Sequence, residues 1–243
     1  MTKLRHTAPP RIAVLLLVAS ACLAQSDSVL LSLRAPKGAA LNLDPKAALW
    51  REAPVIVVDK DKYGRPVGRR TEVRSRWTED SLLLLFVSSY EKLHLKPNPD
   101  TKTETNELWN WDVAEAFLGS DFANIKRYKE FEVSPQGEWV DLDIDRDRAR
   151  PEDGWTWNSG FRSAAKIDRE RKVWIAAMEI PWKTIAAQPP APGLELRANF
   201  YRTEGAPPGT LGMAWRPTNK KTFHAPEAFG TLRLADSTTT PKR

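Results

Sequence analysis

The sequence predicts an all-β protein, a two-sheet antiparallel β-sandwich carrying one short helix. Three observations lead there. Short apolar runs alternate with polar residues at a period of two, and clusters of turn residues separate them. The 19 prolines, 12 glycines and 10 tryptophans suit a turn-rich β protein, because proline interrupts helices. Strand-like runs follow one another closely with no sustained helical period between them, the pattern of a sandwich or barrel.

The chain of 243 residues opens with Lys3, Arg5 and Arg11 and no nearby acid. An apolar run from Ile12 to Ala19 and small residues up to Ala24 follow. This three-part pattern predicts a secretory signal peptide over 1–24 and hence an exported protein, periplasmic or extracellular. The run is too short for a mature membrane span, which needs about 20 residues. Cleavage after Ala24 removes Cys22, the only cysteine. Lipoprotein processing at Cys22 is the alternative, but Ala19 stands where bacterial lipoproteins usually carry leucine. Neither route leaves an internal disulfide.

Residues 25–42 read as a lead-in and 43–235 as one domain. Strands are expected at Val55–Val58, Thr71–Trp77, Leu82–Ser88, Val113–Leu118, Lys129–Val133 and Glu138–Ile144. They continue at Gly160–Ile167, Val173–Ile180, Leu194–Tyr201, Gly212–Trp215 and Gly230–Leu234. Pro181 predicts a short helix over Trp182–Ala186, since proline suits a helix start. Lys92–Glu104 and Asp145–Gly154 read as polar loops, and the polar tail 236–243 as disordered.

The full chain carries 37 basic and 31 acidic residues, a net charge of +6. Without residues 1–24 the balance is 34 to 31. The charges are interspersed and form no basic stripe, which argues against a nucleic-acid partner.

Loop aromatics are the main candidates for chemistry: Trp109 and Trp111, Trp155 and Trp157, and Phe223 beside His224. A sugar's C–H face stacks on a flat ring, and its hydroxyls then need fixed polar partners. Trp109, Trp111, Asp112 and Glu115 offer both kinds of group within a short span. If the extended run begins at Trp109, then Trp109, Trp111, Val113 and Glu115 share one face. Packing accounts equally well for Trp109 and Trp111. It is the better reading for Trp50, Trp77, Trp139, Trp174, Trp182 and Trp215.

Among the acids, Asp141, Asp143 and Asp145 alternate along one side of a strand. Three oxygens there suit calcium, but the spacing of a dedicated calcium loop is missing and a solvated face is the better reading. Glu130 and Glu132 also alternate, and paired carboxylates occur in glycosidases. No nucleophile elbow, phosphate loop or His-Glu-x-x-His helix is present.

The ordered pieces Trp77-Thr78-Glu79-Asp80-Ser81-Leu82, Leu108-Trp109-Asn110-Trp111-Asp112-Val113-Ala114-Glu115-Ala116-Phe117-Leu118, Glu179-Ile180-Pro181-Trp182 and Phe229-Gly230-Thr231-Leu232-Arg233-Leu234 resemble the family 9 carbohydrate-binding modules. The resemblance runs from about Leu43 to Leu234. It implies a non-catalytic β-sandwich that binds a mono- or oligosaccharide or a glycan chain end between two aromatic rings, in the service of polysaccharide breakdown. By position, the rings are Trp109 and Phe223, the carboxylate is Glu115, and Asn219 stands near the second ring. The family's binding arginine falls at Glu132 and a binding asparagine at Ser134, two departures. No cofactor is required, although family members carry structural calcium. Two alternatives stay open: a heme-binding sandwich of an exported redox system, with Met213, Met178 or His224 as axial ligand, and a glycoside hydrolase using paired carboxylates.

Overall fold

The structure is a computed structural model that describes residues 27–152 and 154–237. The predicted signal peptide, Cys22 and most of the expected tail lie outside the described residues. Among the described residues, twelve strands form the fold. They are β1 (Val29–Arg34), β2 (Val55–Asp61), β3 (Pro66–Trp77), β4 (Ser81–Ser89), β5 (Val113–Gly119) and β6 (Arg127–Val133), then β7 (Trp139–Asp145), β8 (Arg162–Asp168), β9 (Val173–Pro181), β10 (Glu195–Glu204), β11 (Leu211–Ala214) and β12 (Gly230–Ala235). Helix α2 (Trp182–Ile185) follows Pro181 as expected, and a second short helix, α1 (Ala48–Arg51), joins it.

The strand order is β7-β6-β5-β10-β11-β2-β3-β4-β9-β8. Strand β12 pairs with β10, and β1 joins β12 to β3. The two layers of the sandwich are thus hydrogen-bonded to each other along both β11 and β1. All ladders are antiparallel except those of β1, which runs parallel to β12 and β3. The expected lead-in therefore contributes a strand, with Leu30 fully buried.

Alternation sorts each strand's side chains between two environments. On β5, Ala114, Ala116 and Leu118 face the core between the layers, with Phe131 and Val133 of β6 and Ala198 and Phe200 of β10. Trp77, Phe86 and Trp174 close that core from the other layer. Burying a large side chain of this kind is worth roughly 1.5–3 kcal/mol. Met178 and Met213 are also fully buried here. The expected packing tryptophans Trp50, Trp77, Trp174, Trp182 and Trp215 are buried, and Trp139 packs partly buried against the same core. The lead-in and α1 cover the outer face of β4 and β9 with Leu49 and Trp50.

The outer face of β5, β6, β7 and β10 is covered differently. Val113, Phe117, Tyr128, Val140, Leu142, Ile144 and Tyr201 form a second apolar cluster, and Trp109, Trp155, Phe223 and Phe229 pack on it from loops. This face carries the candidate site.

Candidate functional site

Loops and sheet enclose a groove of about 380 Å³. Trp109, Trp155 and Phe223 supply its aromatic surface, and Glu115, Phe117 and Glu130 line it from the sheet. Arg150, Thr203, Thr222 and His224 add polar groups.

The floor is set by register. Glu115 of β5 lies directly opposite Glu132 of β6, and Phe117 opposite Glu130. On the other side of β5, Glu115 lies opposite Tyr201 of β10. Phe117 stands edge-on to Tyr201, with ring centres 4.8 Å apart, and stacks on Tyr128 at 5.6 Å. Such pairs hold the floor rigid beyond their area burial.

Each loop ring is held from below. The Phe223 ring stacks on Tyr201, centres 4.3 Å apart and planes 15° from parallel. The Tyr201 hydroxyl donates to the Phe223 carbonyl at 3.0 Å and accepts from Asn199 Nδ2 at 2.7 Å. Gly212 makes room for the ring, because a Cβ there would meet Phe223 Cζ at 2.9 Å. On the other loops, the Arg150 guanidinium lies 5.4 Å from the Trp109 ring centre and 5.9 Å from that of Trp155. Trp155 has a left-handed φ of 67°, a conformation costing about 1–2 kcal/mol for a residue with a Cβ. Its carbonyl accepts from the Asp143 N–H at 3.0 Å, which ties the loop to β7.

The carboxylates are the unusual part. One oxygen from each of Glu115, Glu130 and Glu132 lies within 4.8 Å of the others, and all three residues are buried. Glu115 Oε1 accepts from the Thr203 hydroxyl at 2.9 Å. Neither oxygen of Glu132 has a hydrogen-bond partner, and Glu130 Oε2 has none. Burial pushes all three acids up, Glu130 to about 7, and the neighbouring carboxylates add to the rise at Glu115 and Glu132. His224 Nδ1 is 2.8 Å from the Tyr128 hydroxyl and 4.0 Å from Glu130 Oε2. Burial, with Arg146 and Arg150 nearby, holds His224 down to about 4, so it is neutral at pH 7.

The structure brings together Trp109, Glu115 and Phe223 as groove residues, with Glu132 packed against Glu115 in the carboxylate cluster. The other candidates stand elsewhere. The extended run does not begin at Trp109: Leu108–Asn110 is a 3-10 turn and β5 starts at Val113. Strand alternation therefore does not reach Trp111, whose ring stacks on His94 with centres 4.5 Å apart. Asp112 is fully buried and accepts from the Gly205 N–H at 2.7 Å, anchoring a loop outside the groove. Asn219 is exposed, and its N–H donates to the Lys62 carbonyl at 2.8 Å; it does not line the groove. Trp155 and Glu130 also line the groove. Both were visible in the sequence, as a loop aromatic and as half of an alternating acid pair, but nothing local aimed them here.

Of the alternating aspartates, Asp143 and Asp145 are paired with bases, whereas Asp141 is fully buried and accepts from the Ser159 N–H at 2.6 Å, so the expected solvated face does not hold there. Asp143 meets Lys129 at 2.5 Å, and Asp145 meets Arg127 at 3.2 Å and Arg148 at 3.3 Å. Asp143 and Asp145 border a larger cleft of about 640 Å³, which Lys129, Arg127 and Arg148 line together with Tyr128, Trp155 and Trp157. Both cavities offer rings, but the acids of the larger cleft pair with its bases, whereas the smaller groove keeps unsatisfied buried acids and is the better candidate site.

This fold and groove define a β-sandwich binding module. The chain belongs to the family described as carbohydrate family 9 binding domain-like, whose sequence model matches residues 45–237. It is 27% identical over 188 residues to an extracellular protein of Arthroderma benhamiae, an alignment covering 72% of this chain and 83% of that protein. A putative carbohydrate-binding protein from Bacteroides uniformis has a similar fold, with a TM-score of 0.68 at 17% identity, covering 85% of this chain and 99% of that one. A family 9 module from Caldicellulosiruptor kristjanssonii in complex with cellotriose has a TM-score of 0.60 at 12% identity, covering 88% and 97% of the two chains. The glucose complex of a family 9 module from the same organism gives 0.61 at 12% identity, covering 88% and 100%. Family membership disfavours the heme alternative; of its candidate ligands, Met178 and Met213 are locked in the inter-layer core and His224 lines the groove. Family membership likewise disfavours the hydrolase reading. Among the described residues, no helix is long and apolar enough to cross a membrane, which says nothing of β-barrels.

Proposed function

We propose that this is an exported, non-catalytic carbohydrate-binding protein that holds a mono- or oligosaccharide, or a glycan chain end, in the groove between Trp109 and Phe223. The observation that carries this reading is the joint placement of three loop rings and buried carboxylates in one cavity. Sugar C–H faces stack on the rings, while acids and threonine hydroxyls serve the sugar hydroxyls. Family membership supports the ligand class, and the cellotriose and glucose complexes of family 9 modules indicate which glycans to try first. Export rests on the leader-like first residues and on the extracellular relative. A role in polysaccharide breakdown follows from the resemblance.

Calorimetric titration with glucose, cellotriose and a wider glycan panel tests the reading. Binding is expected to fall in Trp109→Ala and Phe223→Ala while the circular dichroism spectrum stays unchanged. No heat with any glycan overturns it.

A further inference from the structure

We propose that Glu115, Glu130 and Glu132 form a site for a hard divalent cation, calcium by preference, at the floor of the groove. The ion would there be positioned to meet the ligand's hydroxyls. Its part in glycan binding rests on the carbohydrate reading above; the cation site itself does not.

Three observations carry the proposal. The first is geometry. Calcium takes oxygen ligands at 2.3–2.6 Å, so two oxygens on one ion stand at most about 5 Å apart. One oxygen from each of the three glutamates lies within 4.8 Å of the others. The backbone need not move to bring them onto one ion, because the β5–β6 register already sets Glu115 opposite Glu132 with Glu130 two residues along the same face.

The second is the lack of partners. Glu132 is fully buried, yet no donor from outside the cluster reaches either of its oxygens or Glu130 Oε2; the neighbour of Glu132 is the Glu130 carboxyl, with which it can only share a proton. A buried polar group left unpaired costs about 1–3 kcal/mol, and more when charged. Among the described residues, no lysine or arginine nitrogen pairs with any of the three, and the imidazole of His224, with Nδ1 4.0 Å from Glu130 Oε2, is neutral at pH 7. Arg150 lies over the rings of Trp109 and Trp155, and its charge acts on Glu130 from a distance without a hydrogen bond to it. By contrast, the Asp143 and Asp145 carboxylates each have a base beside them. An ion would satisfy the glutamate oxygens together.

The third is access. Glu115 and Glu130 line the groove, whereas Glu132 packs behind them. The cluster is thus closed on the protein side and open toward the ligand. Three carboxylates from two strands leave coordination positions that water or ligand hydroxyls would fill, as calcium's six to eight ligands require.

The test uses the purified protein after chelator treatment and desalting. Terbium(III), a luminescent stand-in for calcium, is titrated while tryptophan is excited, since Trp109 and Trp155 border the site. Expected is sensitised emission that calcium displaces, with a dissociation constant no weaker than about 10⁻³ M. Glu132→Gln and Glu115→Gln are expected to weaken it at least tenfold, and Asp143→Asn, on the salt-bridged outer strand, to leave it unchanged. Circular dichroism confirms that each variant is folded. No emission in the unmodified protein, or unaltered emission in folded Glu132→Gln, overturns the proposal.

A second arm titrates glucose and cellotriose in calcium and in chelator. Tighter binding in calcium supports the proposal. Equal binding in both overturns the ligand-contacting role and leaves the carbohydrate reading standing. Cation binding with no glycan binding in either buffer supports the ion site and overturns the carbohydrate reading instead. Preference for glucosamine over glucose in chelator, with no calcium effect, overturns the proposal in favour of a direct ammonium–carboxylate contact.

Discussion

Glu115 and Glu132 face each other directly across the β5–β6 ladder, both buried on the groove side. Both carboxyls are pushed well above the ordinary range by burial and by neighbouring carboxylates, so ionising the pair costs local stability. Replacing Glu132 by glutamine supplies an amide donor to the neighbouring carboxylates. In chelator, Glu132→Gln is expected to stabilise the protein by about 1 kcal/mol. Denaturant unfolding followed by tryptophan fluorescence measures it; a lower midpoint with unchanged slope contradicts the expectation.

The Phe223 ring depends on what lies beneath it. Tyr201→Phe removes the hydroxyl that donates to the Phe223 carbonyl and accepts from Asn199. A lost hydrogen bond of this kind is worth about 0.5–1.5 kcal/mol, and glycan affinity is expected to drop several-fold as the loop loosens. Unchanged affinity by calorimetry would show that stacking alone holds the ring.

Gly212 tests the same ring sterically. An added Cβ would stand 2.9 Å from Phe223 Cζ, so the phenyl must shift. Gly212→Ala is therefore expected to weaken glycan binding at least as much as Tyr201→Phe, with a cost to stability of about 1 kcal/mol. Full affinity in this variant argues that Phe223 does not touch the ligand.

Glu104 predicts a pH dependence away from the groove. Burial first, then the hydrogen bond and charge of Asp141, raise its carboxyl to about 7 from an ordinary value of 4.5. Below 4.5 the group is protonated in both folded and unfolded chains and makes no difference. Between 4.5 and about 7 the unfolded chain is ionised while the folded group keeps its proton, so stability falls across that window and levels off above it. Thermal midpoints measured from pH 4 to pH 8 are expected to fall less in Glu104→Gln than in the parent protein. Parallel curves would exclude this pair as a source of the dependence.

Much of this protein is legible locally. The alternation in Val113–Leu118 and Lys129–Val133 fixed both strands and which residues share a face, because the side-chain period of a strand is two. Pro181 marked the start of α2 for a reason confined to one residue. Strand β1 was hidden because its pairing is with β12 and β3, far along the chain, and Val29–Arg34 follows directly on a leader-like stretch. Trp111 was misplaced because a 3-10 turn interrupts the extended backbone between Trp109 and Val113.

The sequence by itself determined a β-sandwich, its family, and the aromatic and acidic residues from which a site could be built. It also displayed Glu132 at a position where the resemblance implies an arginine. Only the tertiary structure decided that Glu132 joins Glu115 and Glu130 in one buried cluster beneath Trp109, Trp155 and Phe223. The physical reason is that strand register and loop closure depend on contacts between distant segments. A carboxylate's neighbours across a sheet are set by that register, not by the residues beside it in the chain.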